Sequence, residues 1–173
     1  AITEKSGSVT NTERLVQWHE QLTAPPGACK SDLWLVYQLG LRLKALYAGS
    51  TLARDQGLLA LTWDYTRAGS DEPDPELVLR EINGYQVAGG SHLHGTGDLR
   101  DDGSTACGSR LYAGVFPAPD QNLSKRLDGT VNDAGQFHDW GWAWPGNTRV
   151  LYNRASADPT GEPWSERKKL VWW

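Results

Sequence analysis

Apolar and polar positions alternate with two different periods along this chain, and each period predicts a different element. In residues 6–19, S-G-S-V-T-N-T-E-R-L-V-Q-W-H, Val9 and the pair Leu15-Val16 stand on either side of Asn11-Thr12. That pattern predicts two short strands around a turn, although Thr10 or Asn11 could also cap a helix running through Trp18. Residues 23–27, T-A-P-P-G, read as a connector, because consecutive prolines exclude both helix and central strand. The clearest helix is predicted over 31–48, with Ser31 or Asp32 as N-cap and Gly49 just beyond the end. Leu35, Leu39, Leu43 and Leu46 recur along one side of it, Trp34, Tyr37 and Leu41 widen the apolar arc, and Arg42 and Lys44 keep the far side polar. This stripe is expected to face a core. A shorter helix is predicted over 52–61. A third is predicted over 74–81, with Pro75 in its first turn and Asn83-Gly84 ending it.

From 85 to 127 the periodicity is lost among G-G, G-T-G, D-D-G and P-A-P clusters, and the stretch reads as a surface wrap that needs a partner surface. Residues 140–173 carry six of the nine tryptophans. Trp140, Trp142 and Trp144 alternate with small residues, so an extended backbone puts three indoles on one face, next to Arg149, Tyr152, Asn153 and Arg154. Such a row is either a binding platform or a packed inner face, and packing is the commoner fate of tryptophan. The pattern predicts an α+β fold leaning toward helix: a short N-terminal β-hairpin, three to four helices and long irregular loops. Its segments are a hairpin and linker (1–27), a helical part (28–84), a loop-rich wrap (85–139) and the tryptophan-rich segment (140–173).

Composition narrows the function classes. The net charge of −4 offers no basic stripe for nucleic acid. The longest purely apolar run, residues 33–37, is far short of a membrane span. The chain has no methionine, and its last residues form an apolar strand-like run, so the expectation is a piece of a longer polypeptide. Cys29 and Cys107 stand far apart without a C-x-x-C and do not make a zinc or iron–sulfur framework; they could pair, but free thiols are favoured. His92-x-His94, with Asp98, Asp101 and Asp102 nearby, is the one cluster resembling a metal site, and solvated loop histidines are the favoured reading. Asp101-Asp102 reads as a turn rather than a carboxylate pair. His138-Asp139 and His19-Glu20 are acid–base pairs on paper only. No hydrolase or nucleotide-loop motif occurs, and the residues alone give no self-sufficient active site.

Four blocks carry a resemblance. Residues 6–19 resemble the E-G-[ST]-[FVY]-x-N-x-E-R-R-x-Q segment in large subunits of oxidoreductases that carry a molybdenum or tungsten bis(pterin guanine dinucleotide). P-P-G-A-C-K-S-D-L-W (25–34) is similar to the P-G-x-x-[RK]-S-D-x-W run of formate dehydrogenases and periplasmic nitrate reductases. L-R-D-D-G-S-T-A (99–106) and G-W-A-W-P-G-N-T-R-V-L-Y-N-R-A-S-A-D-P-T-G-E-P-W (141–164) resemble blocks of the respiratory-type formate dehydrogenases. The blocks keep the family's order and cover essentially the whole chain. Arg14 is followed by Leu15 where many relatives have a second arginine.

The resemblance implies an internal segment of a catalytic (alpha, or major) subunit, an incomplete part of a larger multidomain protein. In the intact enzyme formate would be oxidised to CO2, with two electrons leaving through [4Fe–4S] centres to an iron–sulfur partner subunit. The family's catalytic Cys or selenocysteine, its neighbouring histidine, its catalytic arginine and its cluster cysteines lie upstream of these blocks, and its C-terminal cofactor-covering barrel follows them. Neither Cys29 nor Cys107 matches the catalytic motif. The isolated chain is therefore expected to bind no cofactor and to be inactive, with a scaffolding or covering role against the remaining domains of its own subunit. Thr10, Asn11, Glu13 and Arg14 match the motif that approaches one guanine-bearing cofactor arm, a carboxylate suiting the N–H edge of guanine; a Glu13–Arg14 pair across the turn is the alternative. The family works on both sides of the membrane, so the resemblance leaves the compartment open. The rival from another class is a carbohydrate-binding module that uses Trp140, Trp142 and Trp144 as a stacking platform.

Overall fold

The computed structural model describes residues 2–11, 15–109, 112–128 and 140–143. Strands β1 (Gly7–Thr10) and β2 (Val16–His19) pair as a hairpin. Helices α1 (Asp32–Tyr47), α2 (Gln56–Leu59) and α3 (Pro75–Asn83) follow, and the two-residue strands β3 (Tyr85–Gln86) and β4 (Thr105–Ala106) pair antiparallel. The architecture is α+β with long irregular connections, as the pattern predicts. The chain divides into two compact units, one made of Ala1–Gly7 with His19–Leu79, the other of Ser8–Trp18 with Arg80–Trp173.

The first unit is organised around α1. Ser31 caps it, its hydroxyl accepting from the Trp34 amide at 2.9 Å, and Ser31 is itself held by Glu72, whose carboxylate accepts from the Ser31 hydroxyl at 2.6 Å and its amide at 3.0 Å. Gly49 does not supply the expected left-handed cap, since it is not among the glycines with positive φ. Instead the Ser50 amide bonds back to the Tyr47 carbonyl at 2.8 Å and closes the last turn.

Residues 61–72 run antiparallel along one side of α1. Lys30 pairs with Asp71 at 2.5 Å, Tyr37 meets Tyr65 with ring centroids 5.6 Å apart, and Lys44 donates to the Leu61 carbonyl. Between these contacts the Trp63 indole lies over Gly40, where a Cβ would come within 2.4 Å of it. Trp63 holds φ +44 there, a conformation that side-chain-bearing residues rarely adopt and that packing must sustain.

The leucine stripe does not face this side. Leu35, Leu39 and Leu46 are 64%, 58% and 80% exposed, and Val36 and Leu43 are exposed beside them. The less exposed residues of the helix are Leu33, Trp34, Tyr37, Gln38, Gly40 and Lys44. The expected core stripe is thus the outer face, because the helix is apolar on both sides and the periodic leucines mark only one of them.

The second unit holds most of the buried side chains among the described residues: Val16, Leu93, Ala113, Val115, Phe116 and Ala143. The stretch from 85 onward is irregular, but it is not peripheral. Its centre is Asn83, fully buried at the end of α3. The Asn83 carboxamide oxygen accepts from the amides of Gly114 (2.9 Å) and Phe116 (2.8 Å), and its nitrogen donates to the carbonyls of Gly84 (3.2 Å) and Leu93 (3.0 Å). One side chain thereby satisfies the Gly114 and Phe116 amides and the Leu93 carbonyl, and adds a second donor to the Gly84 carbonyl, which already accepts from the Leu93 amide at 3.0 Å. Gly84, at φ +85, lets the chain turn tightly enough that an added Cβ would sit 2.4 Å from the Gly108 Cα. The Arg80 guanidinium covers the Phe116 ring at 5.4 Å.

Candidate functional site

The candidate site grows from β1 and β2, whose ends are fixed by one residue. The Asn11 amide donates to the Leu15 carbonyl at 3.0 Å, and the Leu15 amide donates back to the Asn11 side-chain oxygen at 2.9 Å. Thr10 ends β1 half-buried, and Asn11 follows it, also half-buried. Thr12, Glu13 and Arg14 lie outside the described residues. Of the four candidate cofactor residues, then, Thr10 and Asn11 have a defined setting, and Asn11 spends its oxygen on closing the turn.

The tryptophan strip reaches the same hairpin. The Val16 amide donates to the Gly141 carbonyl at 2.7 Å, and Leu15 bridges antiparallel to Trp142. Gly141 in turn donates to the Leu123 carbonyl at 3.3 Å, and Leu123 to the Val115 carbonyl at 2.9 Å. Four separated pieces of chain therefore lie side by side. Along 140–143 the alternation is as expected for extended backbone, with Gly141 and Ala143 buried while Trp140 and Trp142 are half-buried. Gly141 is needed inside because a Cβ would meet the Ser124 amide nitrogen at 3.1 Å. The Trp140 indole N–H donates to the Asp128 carbonyl at 2.8 Å. On β2, the Trp18 ring carries the Lys125 ammonium 4.7 Å from its centroid, a cation–π contact. Trp144, Arg149, Tyr152, Asn153 and Arg154 lie outside the described residues, as does His138-Asp139.

The remaining chemical candidates resolve into local structure. His92 sits beside Phe116, its Nδ1 3.2 Å from the Phe116 carbonyl oxygen, and the His94 backbone amide donates to Asp98 at 2.8 Å. Among the described residues no three His, Cys, Asp or Glu side chains converge on a point. Asp102 accepts from the Ser104 amide (2.9 Å) and hydroxyl (2.6 Å) around Gly103 at φ +82, which makes D-D-G-S the turn it was expected to be. Those bonds from Ser104 hold the Asp102 carboxyl below its ordinary range.

Cys29 and Cys107 are both free and exposed. The Cys107 sulfur lies 3.6 Å from a Glu81 carboxylate oxygen and 3.9 Å from the Tyr85 hydroxyl. Partial burial of the sulfur, with the Glu81 carboxylate beside it, raises the thiol above its ordinary value. That is opposite to what a nucleophilic cysteine requires. Asn83 and the Leu15–Trp142 pairing are what reading the sequence missed. Asn83-Gly84 signalled only a helix end, and nothing in the spacing joins residue 15 to residue 142.

No family model matches the chain. Single proteins do, among them several subunits named as formate dehydrogenases. The major subunit of formate dehydrogenase-O from Escherichia coli (strain K12) is 36% identical over 183 residues, an alignment covering 98% of this chain and 18% of that protein. The alpha subunit of formate dehydrogenase 2 (cytochrome c-553) from Nitratidesulfovibrio vulgaris is 33% identical, and the major subunit of the nitrate-inducible formate dehydrogenase of E. coli is 32% identical, with the same shares of each chain covered. The chain is homologous, along nearly its whole length, to a segment of the major subunit of formate dehydrogenases. It spans about one fifth of the length of these relatives.

Proposed function

We propose that this chain serves as one segment of a formate dehydrogenase catalytic subunit. There it lines and covers a molybdenum or tungsten bis(molybdopterin guanine dinucleotide) site and contributes surface for contact between subunits, without reactive groups of its own. The observation that carries this reading is the match along 98% of the chain to subunits named formate dehydrogenase. In the intact enzyme the metal–pterin group supplies the two-electron chemistry on formate, and iron–sulfur centres in the subunit and its partner carry the electrons away.

The residues present suit the guanine end of such a group. Thr10 and Asn11 offer a hydroxyl and a carboxamide at the rim of a turn whose ends are pinned by two hydrogen bonds. Glu13, between Asn11 and Leu15 in the sequence, would offer a carboxylate for the N–H edge of guanine, and Arg14 a fork for phosphate oxygens. The half-buried Trp140 and Trp142 strip next to this turn fits a wall set against the rest of the subunit better than a free sugar platform, since the Trp140 N–H is already spent on Asp128.

The test is metal and pterin content in the intact polypeptide. Glu13→Ala is expected to weaken cofactor affinity roughly ten- to hundred-fold and so lower molybdenum or tungsten loading, the loss of one charge-assisted contact of about 1.5–3 kcal/mol. Unchanged loading would remove Glu13 from the cofactor. A polypeptide of 19.1 kDa holding no such metal would remove the whole reading.

A further inference from the structure

The outer face of α1 is the one surface among the described residues that the fold leaves unexplained. At 3.6 residues per turn, Leu35, Leu39, Leu43, Leu46, Val36 and Tyr47 fall within one arc of about 120°, and every one of them is exposed. The arc flanking it on one side is already occupied, since Gly40 lies under Trp63, Tyr37 against Tyr65, and Lys44 reaches the Leu61 carbonyl. A helix with an apolar arc beyond its packed side belongs between packed layers, and among the described residues no side chain buries this arc. A contiguous row of leucines is larger than a soluble surface ordinarily leaves to water.

We infer that this face is an intramolecular docking surface, covered by an apolar surface from the remainder of the same polypeptide. The inference rests on the proposed function, because it needs a longer subunit. The relatives match this chain over 18% of their length, so more than four fifths of such a subunit lies outside the matched stretch. A surface on the same chain meets α1 at a high effective concentration, with no second molecule to recruit. A face left bare until a partner subunit arrived would drive association in the meantime. The covering surface is expected to be aliphatic and aromatic, matched to a stripe whose sole acidic member, Asp32, is paired with Lys5 at 3.3 Å.

Hydroxyl-radical footprinting of the unmutated full-length polypeptide, read residue by residue by mass spectrometry, tests this without disturbing the fold. The intact mass is measured first, and a 19.1 kDa product overturns the proposed function itself. For a longer polypeptide, oxidation of Leu35, Leu39 and Leu46 in the subunit alone is expected to be about ten-fold slower than in the same polypeptide unfolded, as for closely packed side chains. Three results overturn the inference while leaving the proposed function intact. They are oxidation as fast as in the unfolded polypeptide, protection that arises only when partner subunits are added, and protection lost on dilution, which would mark a second copy as the cover.

Discussion

The two units of this molecule achieve order in opposite ways. The unit built on α1 has the regular secondary structure, yet among its described residues only Gly40, Pro73 and Leu79 are buried. The other unit has strands of four residues or fewer and long loops, yet it encloses Val16, Leu93, Val115 and Phe116 at 1% exposure or less. Regular hydrogen bonding and an interior are therefore separate achievements. A helix satisfies its own backbone and can stand with one face bare. Irregular chain has no such option, so its polar groups must be met by side chains before its apolar ones can be enclosed.

The sharpest way to break that contrast is Asn83→Ala. It strips the partner from the Gly114 and Phe116 amides and the Leu93 carbonyl at once, while the Gly84 carbonyl keeps the Leu93 amide, and each buried orphan costs on the order of 1–3 kcal/mol. A loss of about 3–5 kcal/mol is expected, with amide exchange accelerated across 84–116; a change below 1 kcal/mol in chemical denaturation would show that Asn83 is not the centre of that unit.

The middle effect concerns the helical unit. Gly40→Ala places a methyl 2.4 Å from the Trp63 ring and is expected to cost about 1–3 kcal/mol, as overpacking does. Tryptophan fluorescence should shift as the indole is displaced, and an unchanged spectrum would mean that this contact does not hold residues 61–72 against α1.

The smallest effect concerns chemistry at the surface of the loop-rich unit. Alkylation of Cys107 should reach its half-maximal rate at a higher pH than an ordinary thiol, because burial and Glu81 both favour the protonated form. Glu81→Gln should move that midpoint part of the way down, since burial, the larger cause, remains. The linked contribution to stability runs the same way: with the folded value raised, it is present at neutral pH and is lost as pH climbs through that value. A midpoint that stays put in Glu81→Gln would leave burial as the only cause.

Much of the architecture was legible because it is local. Ser31 capping, the hairpin around Asn11, Pro75 at the start of α3 and the D-D-G turn each depend on a few neighbouring residues, and each lies where its residues predicted. The direction of α1 was not legible, since both its sides are apolar and the choice between them is made by Trp63, more than twenty residues on. The importance of Asn83 was hidden for the same reason, its partners reaching as far as Phe116. At the candidate site the family blocks singled out the hairpin and the tryptophan strip separately. Their adjacency through Leu15 and Trp142 is a long-range pairing that no spacing encodes.

The four bonds of Asn83 also bear on how such a chain can change length. They grip the backbone at residues 84 and 93 on one side and 114 and 116 on the other. Chain inserted or removed between Leu93 and Gly114 leaves all four in place, and lengthening a loop adds only a slowly growing entropic cost. A clamp of this kind fixes where the excursion leaves and rejoins the interior, so length can change at its exposed residues 101–104 without loosening its two ends.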